Sequence, residues 1–596
     1  MLKQRSAGRD RLRFGAFEVD LVSSELYQKG KRIELQEQPF RLLAMLLERA
    51  GEMIARDDLR RALWPGDTFV DFEAGLNTAI RKLRNALGDD PARPRYIETL
   101  PRRGYRFIAS TQAARAFSRA LDSVAVLPFQ APGNDPNLEY LCEGITESLI
   151  AVLSEIPALK RVIARSSVYR YRETQLDLRE VGRALGVRAL VTGRITLRGN
   201  RLSVKVELLD TSDLRHIWGN HYDRDLSEAP RLQDEIATAI AGELQGKLSP
   251  RAKRATSRNT TDLLAYQLYL QGRYWWNKRP LRGSVEQAIE FFNQAIARDP
   301  RFVLPHVGLA DSYNTLAAWE SGALAPNDAF PKSLTAASHA LQADPTLAEA
   351  HTSFAYAEFH FGWNWNRAQA EFQRALSLNP NYAYGRHWYS HFLIATGQIQ
   401  ESLSESIRII ELDPFDLIIN VHLSWHHYMA REFAQALDQA DRTLAMEPSF
   451  HWGHFFRGIA LEQLHRPAEA IEALRKSVEL SGGSTVMLSA LGHAHASAGD
   501  SREAREVLHT LHETSSSRYV SSYEIALIYA TLGQSEEAFD FFNRACEERS
   551  GWLPYLNAEP RVDSLRSDNR FHALAARIGL PIRPRGASVS GPGGGS

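Results

Sequence analysis

Apolar residues along the chain follow three different periods. Between Gly75 and Gly88, Leu76, Ile80, Leu83 and Leu87 are spaced by four, three and four, which puts them on one narrow stripe of a helix. Asn77, Thr78, Arg81, Lys82, Arg84 and Asn85 share the rest of its surface. Arg95–Leu100 and Tyr105–Ile108 read as strands joined by the turn Pro101-Arg102-Arg103-Gly104. Upstream, Leu12–Asp20, Glu25–Gln28 and Arg32–Leu35 read as short strands. Pro39 suits a first helical residue, and Phe40, Leu43, Ala44 and Leu47 form a helical stripe that stops at Gly51. Asp57–Trp64 is a second helix ended by Pro65-Gly66. The predicted order is a small sheet, three helices and a hairpin.

The pattern then changes. Ser123–Phe129 is an almost uninterrupted apolar strand, suited to a sheet covered on both faces. Glu139–Ile156 predicts a helix with Leu141, Ile145, Leu149, Val152 and Leu153 on its apolar side. Val162–Ala164 predicts a strand and Leu178–Leu185 a short helix. Ala189–Leu197, Leu202–Leu209 and Arg215–Tyr222 predict an antiparallel meander turning at Gly199-Asn200, and Leu226–Leu248 a closing helix. From about residue 262 helices come in pairs at a fixed pitch. Asp299-Pro300, Asp344-Pro345, Asn379-Pro380, Asp413-Pro414 and Glu447-Pro448 are 45, 35, 34 and 34 residues apart. Ala288, Phe292 and Ala295 precede Pro300 by the same distances as Ala368, Phe372 and Ala375 precede Pro380. Small residues there let two helices approach, and the aromatic fills the groove between pairs.

Length and charge sharpen this into a multidomain reading. A chain of 596 residues is too long for one core. Residues 1–110 hold 21 Lys/Arg against 16 Asp/Glu, a surplus of five; the whole chain holds 71 of each, so the remainder carries a deficit of five. A basic end on an acidic remainder suits a protein that meets nucleic acid at that end. Cys142 and Cys546 are too few for a disulfide framework or a zinc site and read as buried thiols of a reducing compartment. No apolar run marks a signal peptide, and none reaches the roughly 18 residues of a membrane span. Ala109–Asp122 includes Thr111, Gln112, Arg115, Ser118 and Arg119, which exclude a span there. The expected location is the cytoplasm.

A helix with one apolar seam and an Arg/Lys/Asn/Thr face carries the side chains that contact phosphates and base edges in a major groove. A basic hairpin follows it. Residues 12–109 resemble the OmpR/PhoB-type winged-helix DNA-binding domain. The resemblance rests on Leu59–Trp64 with its closing Trp-Pro, on Asn77–Leu87, and on Tyr96–Phe107 ending in Arg-Gly-Tyr-Arg-Phe. It implies that Asn77, Thr78, Arg81, Lys82 and Arg84 face double-stranded DNA from a recognition helix, and Arg102 and Arg103 from the wing. Ala55 departs from the pattern where a capping Ser or Thr is expected, at a cost of roughly 1 kcal/mol. Pro101 departs where many relatives carry a wing arginine. Family behaviour implies homodimers, head to tail on direct repeats. About a dozen residues precede the domain, so no phosphoacceptor receiver domain is expected, although the family's phosphorelay association is kept.

Residues 122–248 resemble the TolB-like or FlgO-like αβ domain, through Val124–Phe129, Gly144-Ile145-Thr146-Glu147 and Val191-Thr192-Gly193. Residues 262–582 resemble a tetratricopeptide-repeat solenoid of about eight units, closed by a cap over Trp552–Leu580. Residues 110–121 are read as a linker and 583–596 as a disordered Gly/Ser tail. The fold class is therefore multidomain: winged helix (α+β), α/β middle domain, all-α repeat array. Such arrays bind a protein or peptide in their concave face.

The array is rich in Trp363, His387, Trp388, His391, Trp425 and His426, which read as packing. His422 and His426 have the spacing of a zinc pair, but no Glu follows His422 in an HExxH arrangement and no third ligand is identifiable. His216 and His221 lie near acidic residues without a repeating ligand spacing. No metal, cofactor or catalytic residue is expected: the sequence has no phosphate-binding loop and no nucleophile–base pair. The reading is a bacterial-type cytoplasmic transcriptional regulator whose array senses a partner. The alternative is a non-catalytic scaffold whose winged helix does not read DNA.

Overall fold

The computed structural model describes residues 11–580 apart from 16, 21–24, 29–30, 34, 64–71, 102, 110–111, 114–120, 133–135, 173–176, 246–259, 279–282 and 319–323. Expectations placed on Arg102, on the stop at Trp64-Pro65-Gly66, on most of the linker and on the tail 583–596 lie outside these residues. The chain divides into two compact units, Met1–Ala120 and Leu121–Ser596.

In the first unit, β1 (Arg11–Phe14), β2 (Phe17–Asp20), β3 (Glu25–Gln28) and β4 (Lys31–Ile33) form an antiparallel sheet in the order β4-β3-β2-β1. The run Leu12–Asp20 is thus two strands, folded back at Gly15 so that Phe14 pairs with Phe17. Three helices follow: α1 (Glu37–Glu48), α2 (Arg56–Leu63) and α3 (Phe72–Leu87). Pro39 lies inside α1, two residues after its start. Between α1 and α2, β5 (Met53–Ala55) pairs with the hairpin of β6 (Ile97–Leu100) and β7 (Gly104–Phe107) in the order β5-β7-β6. A last short strand, β8 (Gln112–Ala113), pairs with β1, so the sheet extends into the residues read as linker. The core joins Leu43, Leu47, Leu59, Leu76, Ile80 and Leu83 to an aromatic group of Phe14, Phe17, Tyr96 and Phe107, with ring centroids 5.0–5.6 Å apart.

The second unit starts with a mixed sheet in the order β10-β9-β11-β12-β13, built from β9 (Ser123–Val126), β10 (Arg161–Val162), β11 (Ala189–Arg198), β12 (Arg201–Asp210) and β13 (His216–Asp225). The three strands β10, β9 and β11 run parallel, and β11 to β13 form the predicted meander. Val124, Ala125 and Val126 of β9 are fully buried, as their apolar run requires. Helices α4 (Pro136–Ser154) and α7 (Ala229–Gln245) pack on it. Between them lie α5 (Arg165–Tyr169), which has too few residues to show a period, and α6 (Leu178–Leu185).

Among the described residues eight helix pairs follow, from Leu263–Asn277 with Ser284–Arg298 to Ser522–Thr531 with Ser535–Glu547. The second helix of a pair buries one stripe, as Ala368, Phe372 and Ala375 do. Beyond the first pair, the first helices are buried on most sides: in Ala383–Ala395, His387, Trp388, Ser390, His391, Phe392, Leu393, Ile394 and Ala395 are all buried. A helix buried on most sides needs cover beyond its own pair. The cover on the inner side is the chain's own residues 552–580. Tyr555 packs against Phe359 and Trp425. Tyr428 donates a hydrogen bond to Glu559 at 3.1 Å, Arg431 pairs with Asp563, and the Trp365 indole N–H reaches the Ile578 carbonyl at 2.9 Å. The segment expected to cap the last unit therefore runs along the inner face and touches the third, fourth, fifth and eighth pairs.

The middle domain and the array share one core. Tyr266 and Leu270 of the first array helix are buried with the middle-domain residues Leu141, Ile145 and Leu149. Gly144 explains itself here: a Cβ on it would sit 2.5 Å from a Leu270 methyl. Arg273 pairs with Glu147 and, at 3.4 Å, with Asp311 of the next pair. The Asx-Pro corners of the repeats make the second seam. The side-chain amide of Asn379 donates to Ser154 Oγ at 2.7 Å, and that of Asn381 to the Leu159 carbonyl at 2.6 Å. Asp413 accepts from Ser166 Oγ, from the Ser167 backbone N–H at 3.0 Å and from Ser167 Oγ at 2.5 Å, at the start of α5. Burial, with Asp416 nearby, pushes the Asp413 carboxyl up to about 7. Asp413→Ala leaves three donors without their acceptor, so it is expected to cost roughly 1–3 kcal/mol, read as a lower thermal midpoint of the 121–596 unit.

Candidate nucleic-acid interface

Helix α3 is held by its apolar seam: Leu76, Ala79, Ile80, Leu83 and Leu87 are at most 3% exposed. That seam fixes which way the other face points. Arg81, Lys82, Asn77 and Asn85 are exposed, and Thr78 is half-buried. Lys82 Nζ donates to Gln36 Oε1 at 2.6 Å, a bond between exposed groups that water or phosphate can replace at little cost.

Asn77 is held in place. Its side-chain oxygen accepts from Arg56 Nη2 at 2.8 Å and from the Tyr105 hydroxyl at 3.2 Å, and the same hydroxyl accepts from Arg56 Nη1 at 3.0 Å. With that oxygen engaged, the Asn77 NH2 group is the donor left to face outward. Arg56, the first residue of α2, is the positioning residue that the sequence reading missed. Its only signal was its place immediately after Ala55.

Arg84 turns the other way. Its guanidinium donates to the Ile97 carbonyl at 2.7 Å and to Thr99 Oγ1 at 2.9 Å, and it lies 3.8 Å from Asp89. Its side chain is 11% exposed. Asp89, equally unforeseen, accepts from the backbone N–H groups of Arg95, Tyr96 and Ile97 at 2.7–3.1 Å. The end of the helix and the first wing strand are thereby locked together. Arg84 belongs to the sequence-predicted contact set by residue type and to the domain's interior by position. Arg84→Ala is expected to lower the stability of the first unit by roughly 1–3 kcal/mol, measurable by denaturant unfolding without any DNA present.

In the wing, Arg103 is exposed at the tip, where its backbone N–H bonds the Leu100 carbonyl at 3.0 Å and its carbonyl accepts from the Arg56 N–H at 3.2 Å. Gly104 is demanded by packing: a Cβ there would lie 2.0 Å from the Ile54 carbonyl oxygen of the neighbouring strand. Tyr105 and Phe107 are buried, while Arg106 stays on the strand's outer side and pairs with Glu98 at 2.6 Å.

The family described as transcriptional regulatory protein, C terminal, matches residues 30–107. The second domain of HilA/YgeH-like transcriptional regulators matches 120–239, and the tetratricopeptide repeat matches 423–485 and 489–551. The chain thus joins a winged-helix domain of the kind found at the C terminus of transcriptional regulatory proteins to a tetratricopeptide array. Residues 122–248, likened by their sequence to TolB or FlgO, overlap this HilA/YgeH-like match. Transcriptional regulator HilA of Salmonella typhimurium (strain LT2) is 24% identical over 419 residues, 68% of this chain and 71% of HilA. A Rhizobium meliloti (strain 1021) protein provisionally named adenylate cyclase 3 is 31% identical over 244 residues, 40% of each chain. The KDP operon transcriptional regulatory protein KdpE of Escherichia coli (strain K12) is 34% identical over 97 residues, 16% of this chain and 43% of that one. The chain thus spans two fifths of the cyclase-named relative. Among the described residues no helix is long and apolar enough to cross a membrane.

Proposed function

We propose that this regulator acts in the cytoplasm, without catalysis of its own, by binding promoter DNA as head-to-tail dimers on direct repeats. In this reading α3 enters the major groove, Asn77 and Arg81 read base edges, and Thr78, Lys82 and Arg103 hold phosphates. The observation that carries the reading is the orientation of α3. Its apolar seam is sunk in the core, and Asn77, pre-set by Arg56 and Tyr105, shares the outer face with two exposed cations. Held polar groups lose less freedom on binding than mobile ones.

The array is proposed to receive a protein or peptide partner that controls output. Because residues 552–580 already fill the inner face, a partner using that face competes with this segment. Since the middle domain and array share one core, a change in the array is transmitted to the middle domain as a change of packing.

The test is selection of binding sites for the Met1–Ala120 unit from a random DNA pool, followed by affinity against salt. Enrichment of a repeated motif is expected, with a log–log salt slope of about −0.9 per phosphate contacted. Absence of an enriched motif would favour a scaffold whose winged helix does not read sequence.

A further inference from the structure

Three histidines meet inside the array. His387 and His391 are four residues apart on the Ala383–Ala395 helix and so share one face. His422 comes from the Leu417–Met429 helix, the first helix of the next pair. The repeat places these two helices side by side, and their ring nitrogens lie within 4.8 Å of one another. His422 Nδ1 is 3.0 Å from His387 Nε2 and 3.1 Å from His391 Nε2. The sequence pairing of His422 with His426 is not the one formed: His426 Nδ1 instead meets Ser406 Oγ at 2.5 Å.

We propose that His387, His391 and His422 are a binding site for one divalent transition cation of the zinc class, coordinated by Nε2, Nε2 and Nδ1 respectively. A tetrahedral zinc with Zn–N of about 2.0–2.1 Å separates its ligand nitrogens by about 3.3 Å, close to the two distances found. One proton on His422 Nδ1 can bridge to its two neighbours only as a shared, weakened bond, whereas a cation engages all three lone pairs at once. The ligand set is imidazole alone, which suits zinc, copper or nickel and not magnesium or calcium. All three side chains are buried, at 4%, 0% and 2% exposure, so the site is set in the core between the fourth and fifth pairs and not on a solvated surface.

Its second shell comes from the C-terminal segment. The Tyr555 hydroxyl lies 3.4 Å from His391 Nδ1, the ring nitrogen opposite the proposed ligand atom, and 3.2 Å from His360 Nε2. A metal-bound imidazole is oriented by the partner of its other nitrogen. A bound ion would therefore tie the fourth and fifth pairs together beneath the segment that fills the inner face, and would hold that segment more tightly.

The experiment uses the full chain without a histidine tag, stripped with a chelator and then titrated with Co2+ and Zn2+. The expected result is one equivalent bound, a visible d–d spectrum of four- or five-coordinate Co2+, an imidazole-rich shell in zinc X-ray absorption, and a higher Tm. His391→Gln and His387→Asn should each abolish the spectrum and the Tm rise, while His454→Ala on the next pair, at a ring that meets the Pro448 carbonyl, leaves both unchanged. The absorption measurement on the unaltered chain stands whether or not the variants fold. No stoichiometric binding, a shell without about three imidazoles, or spectra that persist in the His391 and His387 variants would overturn the site.

Discussion

Replacing Arg81 and Lys82 by alanine is expected to abolish sequence-selective binding by the Met1–Ala120 unit while leaving its fold intact. Both side chains are exposed on a helix whose stability comes from the opposite seam. Neither makes a contact that the core depends on. A side chain that reads a base edge contributes roughly 1–3 kcal/mol of discrimination, which is about 5- to 150-fold in affinity for the selected site. A side chain that holds a phosphate weakens binding to all sequences alike and lowers the salt slope by about one. Arg81→Ala is expected to behave in the first way, Lys82→Ala in the second, and titrations of selected and scrambled DNA at several salt concentrations separate them. Arg84→Ala is the contrasting case. Its main effect is on unfolding, because Arg84 joins the helix to Ile97, Thr99 and Asp89 inside the domain. If Arg81→Ala and Lys82→Ala left the selected-site affinity unchanged, α3 would not be the reading helix.

The second large effect is expected at Arg561. Its side chain and that of Glu559 are each 1% exposed and form a two-point ion pair, with Nε–Oε1 at 3.0 Å and Nη2–Oε2 at 2.9 Å. Burial alone would raise the Glu559 carboxyl, but Arg561 and the bonds it makes hold it below its usual range. Glu524 on the eighth pair is already pushed up to about 7 by burial, against the attraction of Arg561. Arg561→Ala removes the cation and leaves both carboxyls buried. Breaking such a pair costs roughly 3–5 kcal/mol, and here the loss falls on the segment that covers the inner face. Expected are a lower denaturant midpoint for the 121–596 unit and faster proteolysis beyond Ser550. Glu559→Gln added to Arg561→Ala should recover part of the loss, since the pair is coupled.

The pH dependence of that variant has a definite sign. Without Arg561 the folded-state pKa of Glu559 rises above its unfolded value, and that of Glu524, already above it, rises further. The folded state then holds protons that the unfolded state releases, so stability is fully present in acid and is lost as pH rises through the raised values. The deficit of Arg561→Ala is therefore expected to be largest near pH 8 and smallest near pH 5. A deficit that stayed constant across that range would mean the carboxyls are not left buried.

The local elements were legible where a period runs long enough to repeat. The seam of α3, the alternation of β12 and the 34-residue pitch each place apolar side chains on one face, and a face must be buried somewhere. Within those elements the sequence by itself determined residue type and side: that α3 has a basic outer face and that the repeats pair their helices through Ala and Phe. It could not determine partners. Arg81 and Arg84 differ by three residues and have the same chemistry, yet one faces solvent and the other is absorbed by Asp89 and the first wing strand, because only the closed domain brings residue 97 beside residue 84.

Distance along the chain decided the rest. Gly144 reads as a helical glycine until Leu270 packs against it, and Asp413 reads as a repeat corner until α5 supplies its donors. His422 has an obvious neighbour at four residues but meets two histidines 35 and 31 residues away. Residues 552–580 carry the composition of a cap and fill the inner face, since first helices such as Ala383–Ala395 carry large apolar and aromatic side chains beyond the stripe that their own pair covers. Periodicity reports what each element must bury; only the tertiary structure decides against what.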